Sequence, residues 1–240
     1  MLAAVAVAAS CCAQALTPAE ALDRYLASST GQRACTDFIS AVQIDASIPK
    51  LRKQGRMTGL KRVSGSGQVI YRSLQFTGDR VIRTAVIARF LARDAKPAAN
   101  MEDAPLSRRS YRVTYEKSAD YNGVTAYVYH VNPRRKSAGV FRGELWLAAD
   151  TAAPLRLWGD LVKSPSMLIR GFRFVQDYRM GGTCPQPLRL LLTVRTRIVG
   201  TVEVAVWLYP SPEEPQPPGT EESTSVLPEP AAMRVAHDLP

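Results

Sequence analysis

The sequence predicts an α+β fold that is mainly antiparallel β, a curved sheet or incomplete barrel covered by short helices, and three observations point there. From Ser110 to Tyr209 the chain reads as consecutive strands separated by short turns, the pattern of a meander rather than of βαβ units. Only two segments carry helical spacing. Several late strands are apolar on both faces: Leu190, Leu192 and Val194 oppose Leu191, and Val202, Val204, Val206 and Leu208 oppose Ala205, Trp207 and Tyr209. One such face can pack on helices, while the other either encloses a lipid-sized cavity or meets a second subunit.

The elements follow in order. Thr17-Pro18-Ala19-Glu20 is a capping box with Pro at the first helical position; hydroxyl and carboxylate each satisfy a backbone N–H that the first turn leaves open. Leu22, Tyr25 and Leu26 share one face and Gly31 is placed to stop the helix, which spans about 17–30. Strand chemistry begins at Asp37, with Phe38, Val42 and Ile44 in one run and Val69, Tyr71 and Leu74 in another, broken by Gly55, Gly59, Gly65 and Gly67. Residues 79–94 return to helical spacing, with Val81, Ile82, Ala85, Val86, Arg89 and Phe90 on one stripe and Arg80, Arg83 and Arg93 outside it. A loop with Pro97, Asn100, Asp103 and Pro105 follows. Asp120-Tyr121-Asn122-Gly123 supplies the hairpin turn from the run that begins Tyr111, Val113, Tyr115 into Val124–Val131, since Asn-Gly accepts the positive φ such turns need. The later runs are 140–148, 155–162, 167–178, 188–199 and 202–209.

With 240 residues and 46% apolar content, one sizeable core is within reach. The formal charge is +10, and residues 1–209 hold thirty of the basic and fifteen of the acidic side chains, a net +15. Such a surface favours anionic neighbours, a membrane surface among them. Residues 1–15 read as a signal peptide, apolar from Leu2 to Ala9 and ending in Ala13-Gln14-Ala15, although no Lys or Arg follows Met1. The apolar run is too short to span a bilayer. Export to the periplasm or beyond follows, with Cys11 as an alternative lipidation site that would anchor the chain to the membrane. Cleavage after Ala15 leaves Cys35 and Cys184, a candidate disulfide with two unpaired thiols as the competing reading. Residues 210–240, rich in Pro and Glu, read as a disordered tail.

Most catalytic chemistry lacks its residues. The histidines are only His130 and His237, which leaves no His-dependent triad outside this pair and no metal site of several His; His130 reads as a satisfied strand histidine. No phosphate-cradling glycine motif and no Cys-x-x-Cys occurs. Lys50, Arg52, Lys53, Arg56, Lys61 and Arg62, and separately Arg134-Arg135-Lys136, are basic clusters without interleaved aromatics, so strand edges and turn tips are favoured over nucleic acid. The reading is a protein that is not an enzyme, with no cofactor and no metal.

The layout resembles the LolA/LolB-like periplasmic lipoprotein-carrier superfamily. The likeness rests on the short helix 17–30, Tyr121-Asn122-Gly123 leading to Tyr127-Val128-Tyr129 and Pro133-Arg134, and Phe141-Arg142-Gly143-Glu144-Leu145-Trp146-Leu147. It continues through Asp150-Thr151-Ala152, Pro154-Leu155-Arg156, Phe172-Arg173-Phe174, Tyr178 and Pro187. It implies a half-barrel over residues 16–209 whose apolar interior holds lipid or lipoprotein acyl chains, with 79–93 in a helical lid. Trp146, Trp158, Phe172, Phe174, Trp207 and Phe90 are the candidate lining. The expected function is non-catalytic binding of a hydrophobic ligand in the cell envelope; the alternative is an envelope scaffold whose apolar sheet face meets a protein partner.

Overall fold

The computed structural model describes residues 16–31, 38–64, 68–95, 106–137, 139–164, 166–179 and 186–211. The signal-peptide reading, Cys11, the Cys35–Cys184 pair and the tail beyond Ser211 lie outside these residues. Ten strands form one antiparallel sheet that does not close into a barrel, in the order β3-β2-β1-β10-β9-β8-β7-β6-β5-β4. The strands are β1 (Phe38–Ile48), β2 (Lys53–Val63), β3 (Val69–Gly78), β4 (Tyr111–Tyr121), β5 (Val124–Pro133), β6 (Phe141–Ala148), β7 (Pro154–Leu161), β8 (Ile169–Tyr178), β9 (Pro187–Thr196) and β10 (Thr201–Pro210). From β4 to β10 the sheet is an uninterrupted meander. Strand β1 then returns to pair with β10, Ile44 opposite Val206 and Val42 opposite Leu208.

Helix α1 (Pro18–Gly31) starts on the capping box: Thr17 donates its backbone N–H to Glu20 at 2.8 Å, and Glu20 donates its own to the Thr17 hydroxyl at 3.3 Å. The Thr17 backbone N–H and the Thr17 hydroxyl, both donating to the Glu20 carboxylate, hold it below its ordinary pKa. Leu22 and Tyr25 are buried on the face the spacing selects. Tyr127 and Tyr129 then pin the helix start to β5, donating their hydroxyls to the Leu16 and Pro18 carbonyls at 2.6 Å each.

The second helix departs from its predicted stripe. It contains a π-helical segment, Ile82–Ile87, before α2 (Ala88–Asp94), and the Ala88 N–H reaches back five residues to Arg83. That wider turn brings residues five apart onto one side, so Ile82 and Ile87 are fully buried while Val81 is 43% exposed. A 3.6-residue period cannot anticipate this. Gly55 makes the seat, since a Cβ there would stand 2.9 Å from Ile82 Cγ2.

The hairpin forms as predicted, with Asn122 and Gly123 at φ 53° and 82°. One missed element is β2, whose glycines and basic residues hid a full strand. It lies between β1 and β3 rather than at an edge. Its charges are matched within the fold: Lys53 pairs with Asp79, Arg56 with Asp45 and Lys61 with Asp94.

Candidate functional site

Strand alternation divides the sheet into an inner face under the helices and an outer face. Two buried clusters line the inner face. One joins Leu22 and Tyr25 of α1 to Tyr111, Tyr129, Phe141, Leu145 and Phe174; the other joins Ile82 and Ile87 to Val42, Ile44, Met57, Val204 and Val206. Leu190 and Leu192 pack against both. Helix α1 rests on β6 and the π segment on β1, β2 and β3, so β8 and β9 lie between the two supports. There Phe172, Leu190 and Leu192, with Leu157 and Leu161 of the adjoining β7, are only half-buried and make an apolar stretch of the inner face, the candidate trough. Gln176, paired with Leu157 and Leu190, is 5% exposed on this floor, and its side-chain carbonyl has no hydrogen-bond partner.

The π/α2 cover is fastened by an ion pair sheltered from water. Lys61 Nζ lies 2.9 Å from Asp94, their side chains 12% and 11% exposed, and the Tyr71 hydroxyl donates to the same carboxylate at 2.5 Å. Neither Lys61 nor Asp94 carried a local signal of this role.

The six candidate lining residues separate onto opposite faces. Phe90, Phe172 and Phe174 lie with the inner clusters. Trp146, Trp158 and Trp207 lie outside: Trp146 and Trp158 both donate their indole N–H to Glu144 at 3.0 Å, and Trp207 faces the Arg189 guanidinium at 5.2 Å. The outer face is mixed: Trp146, Tyr121 and Val124 pack on a small buried cluster of Ala126, Ala148 and Leu155. Leu191 and Ala205 do point outward, but β7 and β8 contribute Arg156, Asp160, Arg173 and Asp177 beside them, a juxtaposition only the pairing creates.

Asp177 is the hub of that face, its side chain 4% exposed. Arg156 donates to it at 2.7 Å, Arg189 at 2.9 and 2.5 Å, and the Tyr121 hydroxyl at 3.2 Å. Burial alone would raise the Asp177 pKa, but the two arginines outweigh it and the carboxyl ends below its ordinary value. The larger open depression, about 560 Å³, also lies outside, bordered by Asp45, Arg56, Thr77, Thr193 and Glu203. A second, about 520 Å³, sits beside Lys163, Met167 and Arg197.

A comparison with solved structures found similar chains. The fold is similar to that of LolA-superfamily proteins. A LolA superfamily protein from Nitrosomonas europaea matches at 15% identity, over 80% of this chain and 94% of that one, with a TM-score of 0.36. A putative outer membrane lipoprotein-sorting protein domain from Vibrio parahaemolyticus matches at 12%, over 78% and 90%, with a TM-score of 0.38. The MucA/MucB complex of Pseudomonas aeruginosa matches at 12%, over 77% and 93%, with a TM-score of 0.28. No family model and no curated protein matches the chain. Ligand and partner are argued from the residues alone.

Proposed function

We propose that the chain is an exported, non-catalytic binder of acyl chains or a similarly elongated apolar ligand, held in the inner trough. The observation that carries this is the half-buried state of Leu157, Leu161, Phe172, Leu190 and Leu192 between two helical supports, with Phe174 buried among them and Phe90 on the π/α2 cover. A chain of about ten methylenes buried there gains on the order of 8 kcal/mol before the cost of ordering it. Export rests on residues 1–15, and the basic exterior suits an anionic membrane surface.

Native mass spectrometry and lipid extraction of the purified protein test the reading. Co-purifying lipid, or saturable uptake of a fluorescent fatty acid that Leu192→Glu abolishes, is expected. Absence of both would overturn it. A second reading, contact with an envelope protein, draws on Leu74, Phe76 and Val81, which are 36%, 36% and 43% exposed on edge strand β3 and the adjoining helix. It predicts a stable complex in light scattering with the trough empty of lipid.

A further inference from the structure

On the outer face, β4, β5 and β6 bring together Glu116, His130 and Glu144. One ligand atom from each lies within 4.8 Å of the others. The sheet itself does the gathering: His130 stands directly opposite Glu144 in the β5–β6 register, and Glu116 is the extra residue of the bulge where the β4–β5 register shifts between Tyr115 and Lys117. A bulge re-aims its side chain, and here it carries the Glu116 carboxylate to 3.2 Å from His130 Nε2. We infer that Glu116, His130 and Glu144 form a binding site for a single divalent transition-metal ion of the zinc class.

Charge and donor type select that class. Two carboxylates and one imidazole supply two negative charges and a nitrogen donor, which suits Zn²⁺ better than the all-oxygen shells that Ca²⁺ and Mg²⁺ take. An imidazolium can neutralise only one of these carboxylates, whereas a divalent ion neutralises both. Lys117 reaches the other oxygen of Glu116 only at 3.8 Å, which leaves Oε2 on the imidazole.

Geometry and orientation agree. Ligand atoms about 2.0–2.2 Å from a tetrahedral ion stand about 3.3 Å apart, close to the observed His130–Glu116 separation of 3.2 Å. Glu144 has a carboxylate oxygen within 4.8 Å of both. Its Oε2 is held by the indole N–H groups of Trp146 and Trp158, both at 3.0 Å. Hydrogen bonds of that kind orient a ligating carboxylate and leave its other oxygen for the metal. His130 and Glu116 are 50% and 32% exposed, so the fourth position opens to solvent and takes water or a donor from another molecule.

The two indoles supply the assay. Co²⁺, a paramagnetic substitute for Zn²⁺, bound at Glu144 lies beside Trp146 and Trp158, whereas Trp207 stands on β10. Titrating the full chain with Co²⁺ should quench tryptophan emission saturably at one equivalent, and Zn²⁺ should reverse the quenching while Mg²⁺ does not. His130→Gln and Glu144→Gln, with folding verified by circular dichroism, should each weaken binding at least tenfold. Three results would overturn the site: no saturable quenching, equal affinity in both variants, or strong near-ultraviolet thiolate-to-cobalt absorption that assigns the ion to cysteines.

Discussion

Replacing Asp177 with Asn probes the outer-face hub with almost no change of shape. The substitution removes the charge between Arg156 and Arg189 and turns an N–H₂ group toward a guanidinium that has no acceptor to offer. Breaking a buried ion pair by removing one partner costs about 3–5 kcal/mol. The two arginine side chains are 32% and 30% exposed and recover water when released, so the lower end, about 3 kcal/mol, applies. With a urea slope of about 2.5 kcal/mol/M for a domain this size, the midpoint falls by about 1 M.

The acid dependence has a definite direction. The folded Asp177 carboxyl titrates below its unfolded value, so its stabilisation is fully present above the unfolded pKa of about 3.9 and disappears as pH falls through the lower folded value. Urea unfolding of both proteins at neutral pH and at several acidic values reads this. The gap between wild type and Asp177→Asn should be constant from pH 7 to about pH 5 and narrow below about pH 4. A gap under about 0.5 kcal/mol at pH 7 would place the hub among surface ion pairs of negligible worth, and a gap that widens in acid would refute the assignment of the charged form.

Three further single substitutions test the helical cover and the sheet beneath it. Lys61→Met leaves the Asp94 carboxylate, 11% exposed, with the Tyr71 hydroxyl but without its cation; a loss of about 2–3 kcal/mol and faster hydrogen exchange across 80–94 are expected, with Lys61→Met/Asp94→Leu recovering at least half. Gly143→Ala would set its Cβ 1.8 Å from the Trp158 carbonyl oxygen and 2.6 Å from the Gly159 Cα, both backbone atoms of β7. That variant should fail to give a dispersed NMR spectrum, whereas Gly139→Ala, with nothing within 4 Å and only its φ of 84° at stake, should cost about 1 kcal/mol.

Local chemistry alone determined the capping box, the Asn122-Gly123 hairpin and the meander of β4 to β10, because N–H satisfaction, positive φ and alternation are decided among near neighbours in the chain. It also placed Leu190 with Leu192, and Val204 with Val206, on one face. Which aromatics share a surface was decided by the sheet: Phe172 and Phe174 fell under the helices while Trp146, Trp158 and Trp207 fell outside, since a residue's face depends on strand phase relative to every neighbour. Tertiary structure likewise made the Arg156–Asp177–Arg189 hub, the Lys61–Asp94 clasp and the Glu116–His130–Glu144 group. Each joins side chains that are unremarkable one by one, and their chemistry arises only when pairing sets charges and donors within a few ångströms across strands.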